Sequence, residues 1–445
     1  MTDQLARRIA DFVLSLEYDD LRPEVVNEAK RRIIDTFSVA LPALEEETIK
    51  MVRKVVENTR SERDARIWGL GKKTTLDYAA FVNSSMTRFY DYNDTYLSKE
   101  ALHPSDCIAG LIAIAEAKNK TGKDLITALA LAYELICKLA DASSIRERGW
   151  DHVSYIAIGA TAGIGKLLDL DAQKLTQAIN LTASNVITLR QTRIGELSMW
   201  KGLSSPNAVR NATFYSLLAE QGITGPSPVF EGERGFFKQV SGEFELDLEL
   251  DNKILETSIK NYPVEYHSMG AAEVAFKIRD KIDVNKIESI EIGTFKVSYN
   301  IIVKDPEKWD PKTKETADHS LPFIVAYILA NGKIEVDSYY DLFNPKVKSL
   351  MKKIRIYVDD ELDKMYPQGC PAKIKVVTSD GQKVEDEIIY PKGHYRNPLT
   401  EEELNTKFMK MTKPLLGERT KTILNELRNI EDKSISDVVE ALTYK

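Results

Sequence analysis

Through the first 220 or so residues, apolar positions recur with the spacing of helices. Across 24–41 they fall at Val25, Val26, Ala29, Ile33, Ile34 and Phe37, one face of a helix with Pro23 at its first turn, where a missing N–H costs nothing. Thr121 and Asp124 have the spacing of a capping box and predict a helix over 125–140. Asp171 is placed to cap a helix through 175–179, and 207–221 predicts another that Gly222 stops. The stretch 222–242, GITGPSPVFEGERGFFKQVSG, is rich in Gly and Pro and reads as an irregular connection.

Beyond residue 285 the pattern changes. The segments 286–303 and 353–358 alternate in the manner of strands, and 372–378 and 383–390 are joined through Asp380-Gly381, a hairpin signal. One apolar helix is predicted between them, at 321–330, and Thr400 with Glu403 opens a return to helix. The pattern predicts a mostly α protein: an all-helical domain over 1–268, completed by 396–445, with a smaller α+β domain over 269–395.

Composition narrows the class. At 445 residues the chain is long enough for two or three domains, and 43% hydrophobic with 29% charged residues excludes a disordered chain. No apolar run approaches the roughly 18–20 residues that cross a bilayer. The N-terminus is amphipathic, carries an acid from Asp3, and lacks the basic start and apolar core of a signal peptide, so the cytoplasm is the expected location. Charge is balanced slightly towards acid, 61 Lys and Arg against 68 Asp and Glu, with no basic block. Nucleic acid is therefore not an expected partner, and an anionic substrate needs a local cluster of cations. Three scattered cysteines, Cys107, Cys137 and Cys370, cannot make a disulfide framework or hold an iron–sulfur cluster, and no metal-ligand spacing occurs among the histidines. No metal or cofactor is expected. The run Gly159-Ala-Thr-Ala-Gly163-Ile-Gly165-Lys166 misses the phosphate-loop spacing and has Leu167 in place of Ser or Thr. Its small residues are expected to permit close helix packing.

Of five histidines, four stand near predicted element junctions: His103 in HPSD, His152 in GWDHVS, His267 in YPVEYHS and His319 in ADHSLPF. Near a helix start the dipole favours the neutral imidazole, which suits a proton acceptor, although such a histidine can equally be a turn or capping residue. Cations accompany them. Arg190 and Arg193 bracket LRQTR, Lys201 follows Trp200 ahead of the small-residue run GLSSPNA, and Lys260 precedes Pro263. Removing a proton beside a carboxylate needs a base and cations for the developing charge, and expelling hydroxide needs an acid. These residue types suit elimination from a polycarboxylate without a metal.

Seven stretches carry a family resemblance: DYNDTYLSKEALHPSD (91–106), GWDHVSYIAIGATA (149–162), LRQTRIGELSMWKGLSSPNAVRNATF (189–214), GITGPSPVFEGERGF (222–236), KNYPVEYHSMGAAEVA (260–275), ADHSLPFIVA (317–326) and YPKGHYRNPLT (390–400). In this order they resemble the MmgE/PrpD family of 2-methylcitrate dehydratases and cis-aconitate decarboxylases. The resemblance implies a helical domain built from both chain ends, an inserted α+β domain, a homodimer, a site in a cleft between the domains and no required metal. It implies Asp91, Thr95, His103, His152, Lys201 and Lys260 as site positions, with His267 and His319 close by. His103 and His152 would transfer protons, Lys201 and Lys260 would hold carboxylates, Asp91 would orient a histidine or the departing hydroxyl, and Arg193 would help bind substrate. PVEYHS resembles the dehydratase pattern, with Glu265 where the decarboxylase branch has histidine. Ser268-Met269-Gly270 and the reduced Tyr395-Arg396 depart from the usual family pattern. The expected activity is dehydration of 2-methylcitrate, with citrate as a second substrate. Decarboxylation of cis-aconitate, epimerisation of a related dicarboxylate, and a helical scaffold without activity are the alternatives.

Overall fold

A computed structural model describes residues 4–56, 59, 61–62 and 64–445. Asp3 lies outside the described residues. The chain forms two compact units: Met1–Thr192 with Gly202–Thr257 and Thr400–Lys445, and Arg193–Lys201 with Ser258–Leu399.

The first unit is built from helices. Pro23–Ala43 starts with Pro23 at its first position and buries Ala29, Ile33, Ile34 and Phe37. Gly122–Ala142 opens on the complete Thr121–Asp124 capping box, and Ala172–Asn185 opens on Asp171, whose side chain accepts from the Lys174 N–H. Glu401–Leu416 opens on the Thr400–Glu403 box. Each cap meets N–H groups that the first turn leaves without partners. Trp200–Glu220 begins ahead of the predicted start at 207 and carries Pro206 inside it. The glycine run after Gly159 is part of the helix Val153–Leu167, not a phosphate loop. A Cβ on Gly159 would stand 2.8 Å from the Ala132 carbonyl oxygen, and one on Gly163 would stand 2.7 Å from that of Ala128. Glycine is what lets this helix press against Gly122–Ala142. A short hairpin, Asp64–Arg66 with Lys73–Thr75, interrupts the helices and was not anticipated by the hydrophobic pattern.

The second unit holds a four-stranded sheet in the order Ile354–Val358, Ile287–Thr294, Ala372–Thr378, Lys383–Ile388. The first pair is parallel and the others are antiparallel. Ala372–Thr378 alternates buried and half-buried positions along its length, as a strand with one face on a core does. Met269–Arg279 packs on the last two strands and Leu321–Asn331 packs on that helix.

One expected element is corrected. The strand read over 286–303 ends at Thr294, and Lys296–Ile302 is helical. The Lys296 N–H donates to the Asp363 carboxylate at 2.7 Å, a cap supplied by a residue far along the chain. Pairing with the neighbouring strand also stops at Thr294 opposite Val358, so nothing in the sheet continues the extended backbone. The region also holds more helix than the single apolar one expected, including Met269–Arg279 and Pro345–Met351.

Candidate active site

In the first unit the helix Leu76–Phe89 delivers its last turn to the segment that holds Asp91. Asp91 has φ of 50°, a left-handed conformation that an Asp side chain tolerates better than most. Its Oδ1 accepts from the Arg88 guanidinium at 2.8 Å, and the same Arg88 nitrogen donates to Asn93 Oδ1 at 2.7 Å. Asn93 Nδ2 donates in turn to Ser105 Oγ and Asp106 Oδ1. All these groups are buried. The turn is thus tied to the 3-10 segment Pro104–Cys107, at whose start His103 stands.

His103 Nδ1 lies 2.7 Å from the Asp94 carbonyl oxygen and 3.1 Å from Thr95 Oγ1. A carbonyl only accepts, so geometry assigns the proton to Nδ1 and leaves Nε2 as the basic nitrogen of the neutral ring. That Nε2 faces Asp91 Oδ1 at 3.9 Å. His152 stands at the residue before the helix Val153–Leu167, with Nδ1 held by Asp151 Oδ1 at 3.0 Å. Asp151 is itself buried and accepts from Ser204 Oγ at 3.2 Å. The two imidazoles meet edge to face with centroids 6.1 Å apart. Asp91, Thr95, His103 and His152 are therefore gathered in one place.

The second unit gathers the cations. Lys201 sits in the first turn of Trp200–Glu220, with Nζ 3.5 Å from the buried Asp318. Asp318 also holds His319 Nδ1 at 2.5 Å and faces Lys314 at 3.6 Å. Burial pushes the Asp318 carboxyl up, but Lys201, His319 and Lys314 outweigh it and bring it down to about 2. Lys260 is fully buried. Glu265 clasps His267 twice, from the backbone N–H at 2.9 Å and from Nδ1 at 2.6 Å. Burial raises the Glu265 carboxyl, and His267, His319 and Lys260 together reverse this and hold it below its ordinary value. His267 Nε2 stands 3.4 Å from the Tyr366 hydroxyl. The Glu265 N–H donates to the Asp318 carbonyl at 3.0 Å, which joins the two acid–histidine pairs through the backbone. Arg193 ends the half-buried 3-10 turn Arg190–Arg193 and belongs to the same unit.

The carboxylates Asp151, Glu265 and Asp318 hold these histidines and are not among the site residues singled out from the sequence. Each precedes its histidine by one or two positions, which is a legible signal: a carboxylate on Nδ1 fixes the ring and leaves Nε2 for chemistry. The second unit also buries Lys308, where desolvation presses the amine below its ordinary value against the pull of Asp305 and Asp318.

The first unit thus pairs two histidines with fixed Nδ1 atoms and the second sets buried lysines among carboxylates, groups with the chemistry for proton transfer and for holding anions. Comparison with known proteins makes this specific. The MmgE/PrpD N-terminal domain matches residues 7–249 and the MmgE/PrpD C-terminal domain matches 262–432. The chain belongs to the MmgE/PrpD family. It is 27% identical to the 2-methylcitrate dehydratase of Cupriavidus necator, over 93% of this chain and 91% of that protein. It is 26% identical to the 2-methylcitrate dehydratase of Escherichia coli K12, over 87% and 85%. With the cis-aconitate decarboxylase of Homo sapiens it shares 24% identity, over 99% and 95%.

Proposed function

We propose that this protein is a carbon–oxygen lyase that eliminates water from 2-methylcitrate, and from citrate as a second substrate, to give a cis-aconitate-type alkene. The observation that carries the reading is the His103–His152 pair, two imidazoles within one substrate's reach whose Nδ1 atoms are each committed to an acceptor. Elimination moves two protons, one off carbon and one onto the departing hydroxyl, and two oriented imidazoles match that need. His152 has a carboxylate on Nδ1 and His103 a neutral carbonyl there, and the two are assigned together as the proton-transfer pair.

Lys201 and Lys260 are assigned to the substrate carboxylates, with His267, His319 and Arg193 adding positive charge. A trianion approaching a chain of net charge −7 needs such a local inversion of sign. Thr95 and Asp91 hold and face His103. The dehydratases among the relatives support the substrate, and Glu265 in place of a histidine favours dehydration over decarboxylation. The same reading has the enzyme acting as a cytoplasmic homodimer in propionate metabolism, without cofactor, nucleic acid or membrane. Among the described residues no helix is long and apolar enough to cross a membrane.

The test is a panel of 2-methylcitrate, citrate and cis-aconitate followed by proton NMR. An olefinic proton from citrate and collapse of the methyl doublet of 2-methylcitrate to an allylic singlet, or hydration in reverse, are expected. Carbon dioxide release from cis-aconitate without any hydration or dehydration would overturn the reading.

A further inference from the structure

Asp94 lies beside the residues assigned to chemistry, and its carbonyl and both carboxylate oxygens are engaged. Its carbonyl oxygen takes His103 Nδ1 at 2.7 Å. Its carboxylate accepts from the Ser105 N–H at 3.0 Å and from the Tyr133 hydroxyl at 2.7 Å, and faces Arg32 Nε at 3.6 Å. Asp94 and Tyr133 are completely buried and Arg32 is 2% exposed. Arg32 Nε donates to Thr257 Oγ1 at 3.0 Å, so its approach to Asp94 is one of charge, and its other nitrogens meet Glu28 at 2.8 Å and the Thr257 carbonyl at 2.9 Å. Tyr133 comes from the middle of the helix Gly122–Ala142 and Arg32 from Pro23–Ala43, so two core helices grip one carboxylate.

We infer that Asp94, gripped by Tyr133 and Arg32, is a positioning residue that locks His103 in its Nδ1–H tautomer. The inference rests on the reading of His103 as a proton-transfer group. The side chain and the carbonyl belong to one residue, so fixing the carboxylate fixes the direction of the carbonyl. An unclamped Asp94 could turn its peptide, and the imidazole would then exchange between its two tautomers, only one of which presents a basic Nε2. Ser105, on the other side of His103, is tied to the same carboxylate, so both ends of the 94–105 loop share the clamp.

Tyr133→Phe tests this, since it keeps the ring and removes only the hydroxyl. The chain has five histidines, so nitrogen-15 spectra of histidine-labelled protein resolve the tautomer of each, with His103→Gln giving the assignment. The variant is expected to lose the single Nδ1–H signature at His103 and to show a mixture. Its kcat should fall about tenfold, part of the roughly hundred- to ten-thousandfold that a positioned acid or base supplies, with KM within about twofold. A Tyr133→Phe protein with an unchanged His103 tautomer and unchanged kcat would overturn the inference, as would KM and kcat moving together with the tautomer intact. Should Tyr133→Phe not fold, Asp94→Asn decides by the same two readouts. The tautomer is read without substrate, so it stands apart from the dehydratase reading: a wild type with no turnover sinks that reading, and the nitrogen spectra still decide the part of Asp94.

Discussion

The imidazole rings of His103 and His152 stand 6.1 Å apart, inclined by 65°, each tethered through Nδ1 to a different kind of acceptor. His103 bonds a neutral carbonyl and His152 a buried carboxylate. A pair made unlike in this way can hold one proton ready to give while the partner is ready to take another.

His103→Gln and His152→Gln should each lower kcat by roughly a hundred- to ten-thousandfold, the scale of one positioned acid or base. Far-ultraviolet circular dichroism should be unchanged. The double variant should be little worse than the worse single one, because groups acting as a unit are not additive. Full activity in both single variants would show that the site lies elsewhere.

Lys201→Met removes a cation assigned to the substrate carboxylates and also strips a partner from the buried Asp318. Breaking a buried pair costs about 3–5 kcal/mol when nothing else compensates. Here Lys314 and His319 remain beside the carboxylate, so a loss of about 1–3 kcal/mol is expected by urea unfolding. Turnover should be lost at the same time. An unaltered unfolding midpoint would mean that Lys201 and Asp318 do not interact.

The pH dependence of stability follows from the same pair. The Asp318 carboxyl sits at about 2 in the folded protein against an ordinary 3.8. A depressed carboxyl stabilises above its unfolded value and loses that contribution as pH falls through its folded one. The stability deficit of Asp318→Asn should therefore be largest above about pH 4 and shrink between about 4 and 2. Chemical denaturation of the two proteins across that range checks it. A deficit that grows as pH falls would contradict the pairing.

Gly122→Ala probes the helical unit away from the site. A Cβ there would lie 1.9 Å from the Ile430 carbonyl oxygen, a rigid backbone atom, so the C-terminal segment must move. Destabilisation of about 3 kcal/mol or more is expected, with a clear drop in Tm, from overpacking against backbone. A variant as stable as wild type would show that this contact is absent in solution.

Much of the helical unit was legible because its signals are local. Pro23, Thr121 with Asp124, Asp171 and Thr400 with Glu403 each act within one turn, and each starts a helix where its chemistry says it should. The end of the strand at Thr294 was not legible, because Asp363 caps the following helix from across the fold. The helix start at Trp200, ahead of the expected 207, was not legible either, and Pro206 lies inside that helix. In the site, the histidines stood out by rarity, whereas Asp94 did not: its importance lies in partners on two distant helices, which no spacing in the sequence reveals.

On the proposed function, this chain dehydrates a tricarboxylate with its own side chains. The most direct measurement follows ultraviolet absorbance of the conjugated alkene when chelator-treated wild type meets 2-methylcitrate, beside His103→Gln and His152→Gln. A rise is expected with the wild type, undiminished by chelator, and almost none with either variant. No rise with 2-methylcitrate or citrate, and no fall when the alkene is supplied instead, would contradict it.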